Sequence, residues 1–322
     1  MIVATIGRVV AIEAIPDADR IESVTVVCGA AGKWRGVCKK GEQQVGNLCE
    51  VYLQDALLPQ GERFAFMERS QWRVRMSRFR GAVSECLIMP LTVDGMIGDD
   101  IGERVGVVKY EKPVPYSVGG DILAAFPSFL PKTDEMNFQA VPELVQSMRG
   151  KPFYCTVKAD GTSVTVYRHE GHFGVCSRNW EMKETDGNAL WQLAKRYRLS
   201  YTLPEGMALQ FEGVGPGIQG NPMGLAELEA RLFNVIYIDE RRYGSAAELL
   251  QAATSLDIPT VWIESYGGIL DASDDSLQRR AEGTYLNGRQ REGIVIRSLE
   301  SFPLFAPDRP SFKVINLLYK ES

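Results

Sequence analysis

The sequence predicts an α+β fold class, with a small β-barrel followed by a second domain of strands and helices. Two observations predict the barrel: short runs rich in β-branched residues recur over about the first hundred residues, and glycines or polar turns separate them. A third observation predicts the second domain. Beyond a stretch rich in glycine and proline, strand-like runs are mixed with segments of helical periodicity.

The predicted barrel contains a series of strand-like runs. Taken together they are rich in β-branched residues, which favour the pleated surface of a strand. In chain order they are IVATIGRVVAIEAI, IESVTVVCG, KWRGVCKK, NLCEVYLQDALL and SECLIMPL. We expect residues 1–110 to form this module.

Arginines and aromatic residues are concentrated in residues 69–80 of the predicted barrel. This mixture suits a groove that follows a phosphate backbone, because guanidinium groups pair with phosphates and aromatic rings stack on bases. A solvated surface strand with salt bridges explains the same residues equally well. The candidate nucleic-acid contacts are Arg73, Arg75 and Arg78.

The domain boundary is predicted where glycines and prolines cluster. The stretch VDGMIGDDIGERVGVVKYEKPVPYSVGG has closely spaced glycines, then two prolines, and ends in Gly-Gly. We therefore expect a linker at residues 111–120 and a second domain over residues 121–322. In that domain GNALWQLAKRY and SAAELLQAATSL have helical spacing, whereas MALQFEGVG, ARLFNVIYID and EGIVIRS are typical of strands.

Composition excludes several classes of protein. No run approaches the roughly 18 apolar residues that a membrane-spanning helix needs. The six cysteines lie far apart without a C-x-x-C pair, so we expect reduced, mostly buried thiols in a cytoplasmic protein. His169 and His172 are the only histidines, which disfavours a histidine metal site and a Ser-His-Asp hydrolase. The net charge of −5 gives no bulk argument for binding nucleic acid.

The run YCTVKADGTSVTVYRHEG places Lys158 and Asp160 in the most strand-like part of the chain. A lysine amine becomes a nucleophile only after its ammonium loses a proton, which apolar surroundings favour. The carboxylate of Asp160, expected on the same face, opposes that loss unless a metal ion neutralises it. Attack on phosphorus beside a divalent ion explains the pair, and Gly161 would permit a close backbone approach. A charged rim on a solvated edge strand is the alternative.

Other charged residues stand alone in apolar strand-like runs. Glu212 lies in FEG, Glu292 in REGIVIR and Lys313 in SFKVIN. Burying such groups without a cation or a hydrogen-bond partner costs free energy. One acidic residue in a strand is usually a satisfied edge charge, but the combination favours a shared site.

These segments resemble, in order, the motifs of the covalent nucleotidyltransferase superfamily of polynucleotide ligases and capping enzymes. The stretches FPSFLPKTDEMN and GPGIQGNPMGL, and an OB-fold module placed before the transferase domain, are similar to the fifth family of ATP-dependent RNA ligases. Ser311 departs from the K-x-K pattern of many relatives, so no phosphate contact is assigned to it. The matching motifs are KADG (158–161), SRN (177–179), FEG (211–213), FNV (233–235), EGIVI (292–296) and Lys313.

The resemblance implies an OB-fold barrel, then an adenylyltransferase domain of antiparallel sheets flanked by helices. It implies a ligase that uses ATP and Mg²⁺ or Mn²⁺ to join a 3′-hydroxyl RNA end to a 5′-phosphate end through a lysyl-AMP intermediate, in nucleic acid repair. We expect a monomer, with RNA or a nicked RNA/DNA duplex as partner. The implied site residues are Lys158 as nucleophile, Asp160, Glu212 and Glu292 for the metal, and Lys132, Arg178, Phe233, Arg297 and Lys313 for the nucleotide.

Alternative functions also fit parts of the sequence. An RNA-binding protein with an inactive transferase domain and an RNA guanylyltransferase both remain open. GPGIQG (215–220) matches the dinucleotide fingerprint G-x-G-x-x-G, and Asp239 follows about twenty residues later. Too few residues separate GPGIQG from the next strand-like run for a crossover helix, which disfavours a Rossmann domain.

Overall fold

The structure is a computed structural model, and it describes residues 2–110, 122–306 and 308–319. The predicted linker at residues 111–120 lies outside the described residues. The chain divides into two compact units. The first takes in the described residues up to 110 together with Gln139–Pro142, and the second takes in residues 122–138 and the chain from Glu143 onwards.

The first unit is built from short strands. They are β1 (Ala4–Ala14), β2 (Ile21–Val27), β3 (Lys33–Lys39), β4 (Leu48–Tyr52), β5 (Ala56–Leu57), β6 (Ser77–Phe79), β7 (Ala82–Ser84), β8 (Leu87–Pro90) and β9 (Val108–Lys109). The main sheet is antiparallel and has the order β3-β2-β1-β4-β8. A register shift between Val9 and Ala11 marks a bulge in β1, which bends that strand and helps the sheet to curve.

Two apolar clusters form the core of the first unit. Val24, Val26 and Trp34 belong to one cluster, and Ile6 and Tyr52 belong to the other. The alternation of inward and outward side chains along β1 and β4 explains why one strand contributes to both clusters. The predicted all-β module at the N-terminus is therefore confirmed, although the 3-10 helix Glu62–Ser70 was not predicted from the sequence pattern.

The rest of the described chain mixes strands with short helices, as predicted. Its helices are α1 (Pro142–Met148), α2 (Ala189–Arg196), α3 (Leu199–Thr202), α4 (Ala246–Ser255) and α5 (Asp274–Ala281). Its strands are β10 (Ile122–Ala125), β11 (Pro152–Val157), β12 (Thr162–His169), β13 (His172–Cys176), β14 (Trp180–Met182), β15 (Met207–Val214), β16 (Glu229–Tyr237), β17 (Arg242–Tyr243), β18 (Ile263–Ile269), β19 (Gly293–Ser298), β20 (Phe302–Pro303) and β21 (Ser311–Ile315).

Two antiparallel sheets organise the second unit. The eight-stranded sheet has the order β10-β14-β13-β12-β15-β16-β17-β20, and the four-stranded sheet has the order β18-β11-β19-β21. Leu190 and Leu193 of α2 and Leu249 of α4 pack with Val164 and Phe211 of the eight-stranded sheet in the largest cluster. The helices α2 and α4 therefore cover one face of that sheet.

The chain passes from one sheet to the other at residues 158–161. The expectation that Lys158 and Asp160 lie in one continuous strand is wrong, because β11 ends at Val157 in the four-stranded sheet and β12 begins at Thr162 in the eight-stranded sheet. Gly161 allows the passage: a Cβ atom there would lie 2.2 Å from the carbonyl oxygen of Gly213. The KADG segment is thus a crossing between sheets, and its glycine permits close backbone contact.

The cysteines and the segment 215–220 were also the subject of sequence predictions. All six cysteines are buried and unpaired, as expected. Residues 215–220 form turns after β15, and the chain enters β16 without an intervening helix, so the Rossmann alternative is wrong. Within the described ranges, no helix has the length and apolar character needed to cross a membrane.

Candidate active site

Lys158 and Glu292 form an ion pair at the crossing between the sheets. Nζ of Lys158 lies 2.7 Å from Oε2 of Glu292, and the two side chains are 25% and 21% exposed. The backbone fixes this pairing, because the N–H of Lys158 donates to the carbonyl of Gly293 over 2.9 Å. Two residues that lie far apart in the sequence therefore meet because β11 and β19 are neighbouring strands.

The charge of Lys158 is stabilised by surrounding carboxylates. Burial opposes the charge, but Glu292, Glu212 and Asp160 together raise the pKa of the Lys158 amine above its ordinary value. Burial also raises the pKa of the Glu212 carboxyl to about 8, and Glu292 and Asp160 contribute to that rise, while Lys158 opposes it. The amine is therefore an ammonium at neutral pH, and the site holds more acidic groups than basic partners.

The chemistry of this cluster fits a divalent cation. Asp160, Glu212 and Glu292 offer hard oxygen ligands of the kind that Mg²⁺ and Mn²⁺ accept. Burial is the main cause of the raised pKa of the Glu212 carboxyl, and the nearby Glu292 and Asp160 add to it, so a cation bound here would stabilise the charged form of Glu212. Across the described ranges, no three His, Cys, Asp or Glu side chains lie close enough together to bind one ion directly. Mg²⁺ usually keeps several of its water molecules in protein sites, so these carboxylates would hold such an ion largely through those waters.

Two tyrosines that the sequence motifs missed contact this cluster. The hydroxyl of Tyr285 donates to the carbonyl of Lys158 over 2.9 Å and accepts from the N–H of Glu292 over 3.2 Å. The hydroxyl of Tyr319 donates to Oδ2 of Asp160. Burial, followed by the hydrogen bond to Asp160, raises the pKa of Tyr319, so this phenol stays protonated. Neither tyrosine belongs to a motif, so the sequence contained no signal for these contacts.

Several polar and charged residues lie on one face of the four-stranded sheet. Thr156 pairs with Val295, which pairs in turn with Lys313 across the sheet. Side chains alternate along each strand, so these residues share a face with Arg297, two residues on along β19. The structure therefore places Arg297 and Lys313 on a common face.

Glu135 organises the far end of this face. Its carboxylate accepts from Arg297 over 3.1 Å, from Arg309 over 2.8 Å and from the hydroxyl of Ser311 over 2.7 Å. Glu135 is only 8% exposed, so two guanidinium groups and a hydroxyl satisfy an otherwise buried charge. The serine that departs from the family pattern thus has a structural partner, and sequence reasoning had assigned no role to Glu135 or Arg309.

Phe233 lies at a bulge in β16. The register with β15 shifts between Gln210 and Phe211, so Phe233 is the extra residue and its side chain is redirected. The ring is 8% exposed and packs in a cluster with Ala159 and Tyr285. The guanidinium of Arg297 lies 5.7 Å from its centroid. Phe233 is therefore packed beside the crossing, and the guanidinium of Arg297 lies near its ring.

Lys132 and Arg178 are brought together at the turn between β13 and β14. Nζ of Lys132 donates to Oδ1 of Asn179 over 2.6 Å, and Arg178 lies 2.8 Å from Asp134. Nε of Arg178 is buried and has no hydrogen-bond partner among the described residues. The side chains of Lys132 and Arg178 therefore lie at this turn, and each is held by a neighbouring polar group.

The three arginines of the first unit that were predicted to contact nucleic acid differ in their exposure to solvent. Arg73 is 7% exposed, donates to Asp55 over 2.6 Å and stacks 4.1 Å from the centroid of the Tyr110 ring. Arg75 and Arg78 are exposed, and Arg78 lies in the β6–β7 hairpin beside the exposed Phe79. Arg73 is thus held inside its own unit, whereas the other two arginines face solvent.

Comparison with known proteins adds to this geometry. The sequence profile of the RNA ligase family matches residues 151–315, and an OB-fold domain profile matches residues 3–91. No curated protein matches this chain significantly. Structures of mutants of Naegleria gruberi RNA ligase are similar to this chain at 31% identity. One, with ATP and Mn, has a TM-score of 0.86 and covers 98% of this chain and 97% of that chain.

Two further structures of the same ligase are similar over nearly their whole length. An apo mutant has a TM-score of 0.86, with 98% of this chain and 96% of that chain covered. A mutant with AMP and Mn has a TM-score of 0.85, with 98% of this chain and 97% of that chain covered. The similarity therefore extends over both units.

Proposed function

Because this chain belongs to the RNA ligase family, we propose that it is an ATP-dependent RNA ligase that joins a 3′-hydroxyl end to a 5′-phosphate end through a lysyl-AMP intermediate. The observation that supports this most strongly is the single amine of Lys158 placed 2.7 Å from Glu292, with Glu212 and Asp160 also acting on its charge. A lysine surrounded in this way suits attack on phosphorus once a divalent cation neutralises the carboxylates beside it.

In the first step Lys158 attacks the α-phosphorus of ATP. The bond from Nζ to phosphorus forms, the bond from phosphorus to the bridging oxygen breaks, and pyrophosphate leaves with the electron pair. Lys158 must first give up a proton, and the carboxylates around it oppose this. A cation held by Asp160, Glu212 and Glu292 would favour the neutral amine and stabilise negative charge on the phosphate.

Other side chains in the second unit are proposed to hold the nucleotide. Arg178, Lys132 and Lys313 are candidates for its phosphates or ribose, since guanidinium and ammonium groups pair with such oxygens. Arg297 and Phe233 are candidates at the base, because a ring and a planar cation suit stacking. The buried Nε of Arg178 without a partner among the described residues supports its assignment.

The later steps need RNA. AMP passes from Lys158 to the 5′-phosphate, and the 3′-hydroxyl then attacks that phosphate and releases AMP. We propose that residues 1–110 bind RNA or a nicked RNA/DNA duplex, mainly through Arg75 and Arg78, and that residues 121–322 perform the transfers. Arg73 supports this surface from within, through its ion pair with Asp55. Six unpaired thiols suit a reducing compartment such as the cytoplasm. We propose that the protein works there as a monomer in nucleic acid repair.

Labelled nucleotides test this proposal. The protein is incubated with labelled ATP or GTP and a divalent cation, and covalent label is read on a denaturing gel. We expect label from ATP only, followed by sealing of nicks that carry RNA ends. Label from GTP only would indicate a guanylyltransferase, and no label from either would indicate an RNA-binding protein with an inactive transferase domain.

A further inference from the structure

The hydroxyl of Tyr285 joins the backbones of the two residues that form the central ion pair. It donates to the carbonyl of Lys158 over 2.9 Å and accepts the N–H of Glu292 over 3.2 Å. The next ladder bond, from the N–H of Lys158 to the carbonyl of Gly293, measures 2.9 Å. Both backbone groups of Lys158 are therefore tied to residues 292 and 293, and one of the two links passes through a side chain.

The structure around Tyr285 fixes its ring. Tyr285 lies in a short hairpin in which its N–H donates to the carbonyl of Arg289 over 2.8 Å and Thr284 bridges Gln290. The ring is 6% exposed and packs with Ala159 and Phe233. A hydroxyl on a ring fixed in this way has little freedom to follow the backbone if that backbone moves.

We propose that Tyr285 is a positioning residue for the nucleophile, an inference that rests on the proposed function. Lys158 begins the crossing between the two sheets, where strand pairing no longer fixes the chain. Without the hydroxyl, the carbonyl of Lys158 and the N–H of Glu292 would be left unpaired in a partly buried site. Lys158 would then be left with one backbone hydrogen bond, from its N–H to the carbonyl of Gly293, and its peptide unit could rotate and displace Nζ from the line of attack. Because its hydroxyl already bonds two backbone groups, Tyr285 acts on the reaction through Lys158.

The test compares Tyr285→Phe with Tyr243→Phe in the full-length protein. Tyr243 is a suitable control because its ring is buried in the same unit and its hydroxyl has no hydrogen-bond partner among the described residues. Two rates are measured in each variant: AMP attachment as a function of ATP concentration, and joining of an RNA whose 5′ end already carries AMP. The second reaction bypasses the attack by Lys158.

Tyr285→Phe is expected to lower the rate of AMP attachment at saturating ATP by about 10- to 100-fold, as a small misplacement of a reacting group does. The ATP concentration at half-maximal rate should change by less than about twofold, because the hydroxyl already bonds two backbone groups. Joining of the adenylylated RNA and the melting temperature should stay close to those of Tyr243→Phe.

Two results would overturn the inference. One is AMP attachment at the wild-type rate in Tyr285→Phe. The other is an equal loss of both reactions together with a lowered melting temperature, which would assign the hydroxyl to stability alone. Failure of the proposed function is distinguishable from either, because the wild-type protein would then take no label from ATP.

Discussion

Lys158 is held as an ammonium by its neighbours, and this charge is the central property of the site. Three carboxylates raise the pKa of its amine, although its burial acts in the opposite direction. The free amine therefore forms more readily when positive charge is added to the site, which a divalent cation held by the carboxylates would do. The ion pair with Glu292 holds the ammonium group of Lys158 in place before the nucleotide binds.

The charge of Glu292 can be tested with its neutral amide. Glu292→Gln keeps the shape of the side chain but removes the ion pair. We expect AMP attachment to slow by at least about 100-fold, as it does when an enzyme no longer stabilises charge in the transition state. The rate is measured in a single turnover at saturating ATP, with the melting temperature as a second readout.

The matched control is Glu184→Gln, which removes a surface ion pair with Lys195 of 3.0 Å. Ion pairs on the surface contribute little to the free energy of unfolding, so this variant should match the wild type in both measurements. If Glu292→Gln lowers the melting temperature strongly but leaves a normal rate per folded molecule, the carboxylate is structural.

Sequence reasoning found the charged residues of the site but missed their polar partners. Lys158, Glu212 and Glu292 stand out because each is a charge in an apolar run, which is a local signal. The hydrogen bond from Tyr285 to Lys158 joins residues 127 positions apart, and the one from Ser311 to Glu135 joins residues 176 positions apart. Such pairs depend on which strands become neighbours, and no short pattern specifies this.

At the scale of elements, the crossing between β11 and β12 determines the geometry of the site. The pattern of residues 154–171 predicted strand structure, and Glu170 and Gly171, which both have positive φ, form the turn after β12. It did not predict that the two strands belong to different sheets. The alternation of apolar and polar residues is the same whether a strand continues or changes its partner, so the change of sheet was not readable from the sequence.

Gly161 provides a direct test of the crossing. In Gly161→Ala the new Cβ would lie 2.2 Å from the carbonyl oxygen of Gly213 and 2.8 Å from Val214. Backbone atoms cannot move aside cheaply, so we expect a decrease of about 1–3 kcal/mol in the free energy of unfolding. AMP attachment should fall as well, because the turn that positions Lys158 must shift. Urea denaturation and the rate of AMP attachment are the measurements.

Gly187→Ala is the matched control for this substitution. A Cβ at Gly187 would meet no atom within 4 Å, so its effect should stay within about 0.5 kcal/mol. Equal stability of the two variants would show that β12 and β15 are not packed as closely as described.

At the scale of the whole molecule, each unit has a separate proposed task. The fold class was predicted correctly, because β-branched runs and helical spacing are local signals. The return of Gln139–Pro142 to the first unit was not predicted. Gln139 is held there by a hydrogen bond of 2.6 Å from its Nε2 to Glu85, a pairing of residues 54 positions apart that no composition shift marks.

If the first unit binds RNA, substitutions on its surface should slow the joining of RNA but leave AMP attachment unchanged. Arg75→Ala combined with Arg78→Ala should weaken RNA binding and flatten its salt dependence, by about 0.7 to 0.9 in the logarithmic slope for each phosphate that an arginine no longer neutralises. AMP attachment should be unchanged, since it needs only ATP and a cation. The measurements are RNA affinity at several salt concentrations and the ratio of the joining rate to the AMP-attachment rate.

Arg104→Ala is the control, because that exposed side chain donates to the carbonyl of Asp94 within its own loop. A ratio in the double variant that equals the ratio in this control would show that Arg75 and Arg78 form only a solvated surface.

The most direct test of the account is to locate the covalent nucleotide. The intact protein is incubated with ATP and Mn²⁺, digested, and its peptides are mapped by mass spectrometry, with Lys158→Arg treated in parallel. We expect one AMP on Lys158 and none in Lys158→Arg, because a guanidinium stays protonated and cannot attack phosphorus. An AMP on another residue, or an adduct that persists in Lys158→Arg, would contradict it.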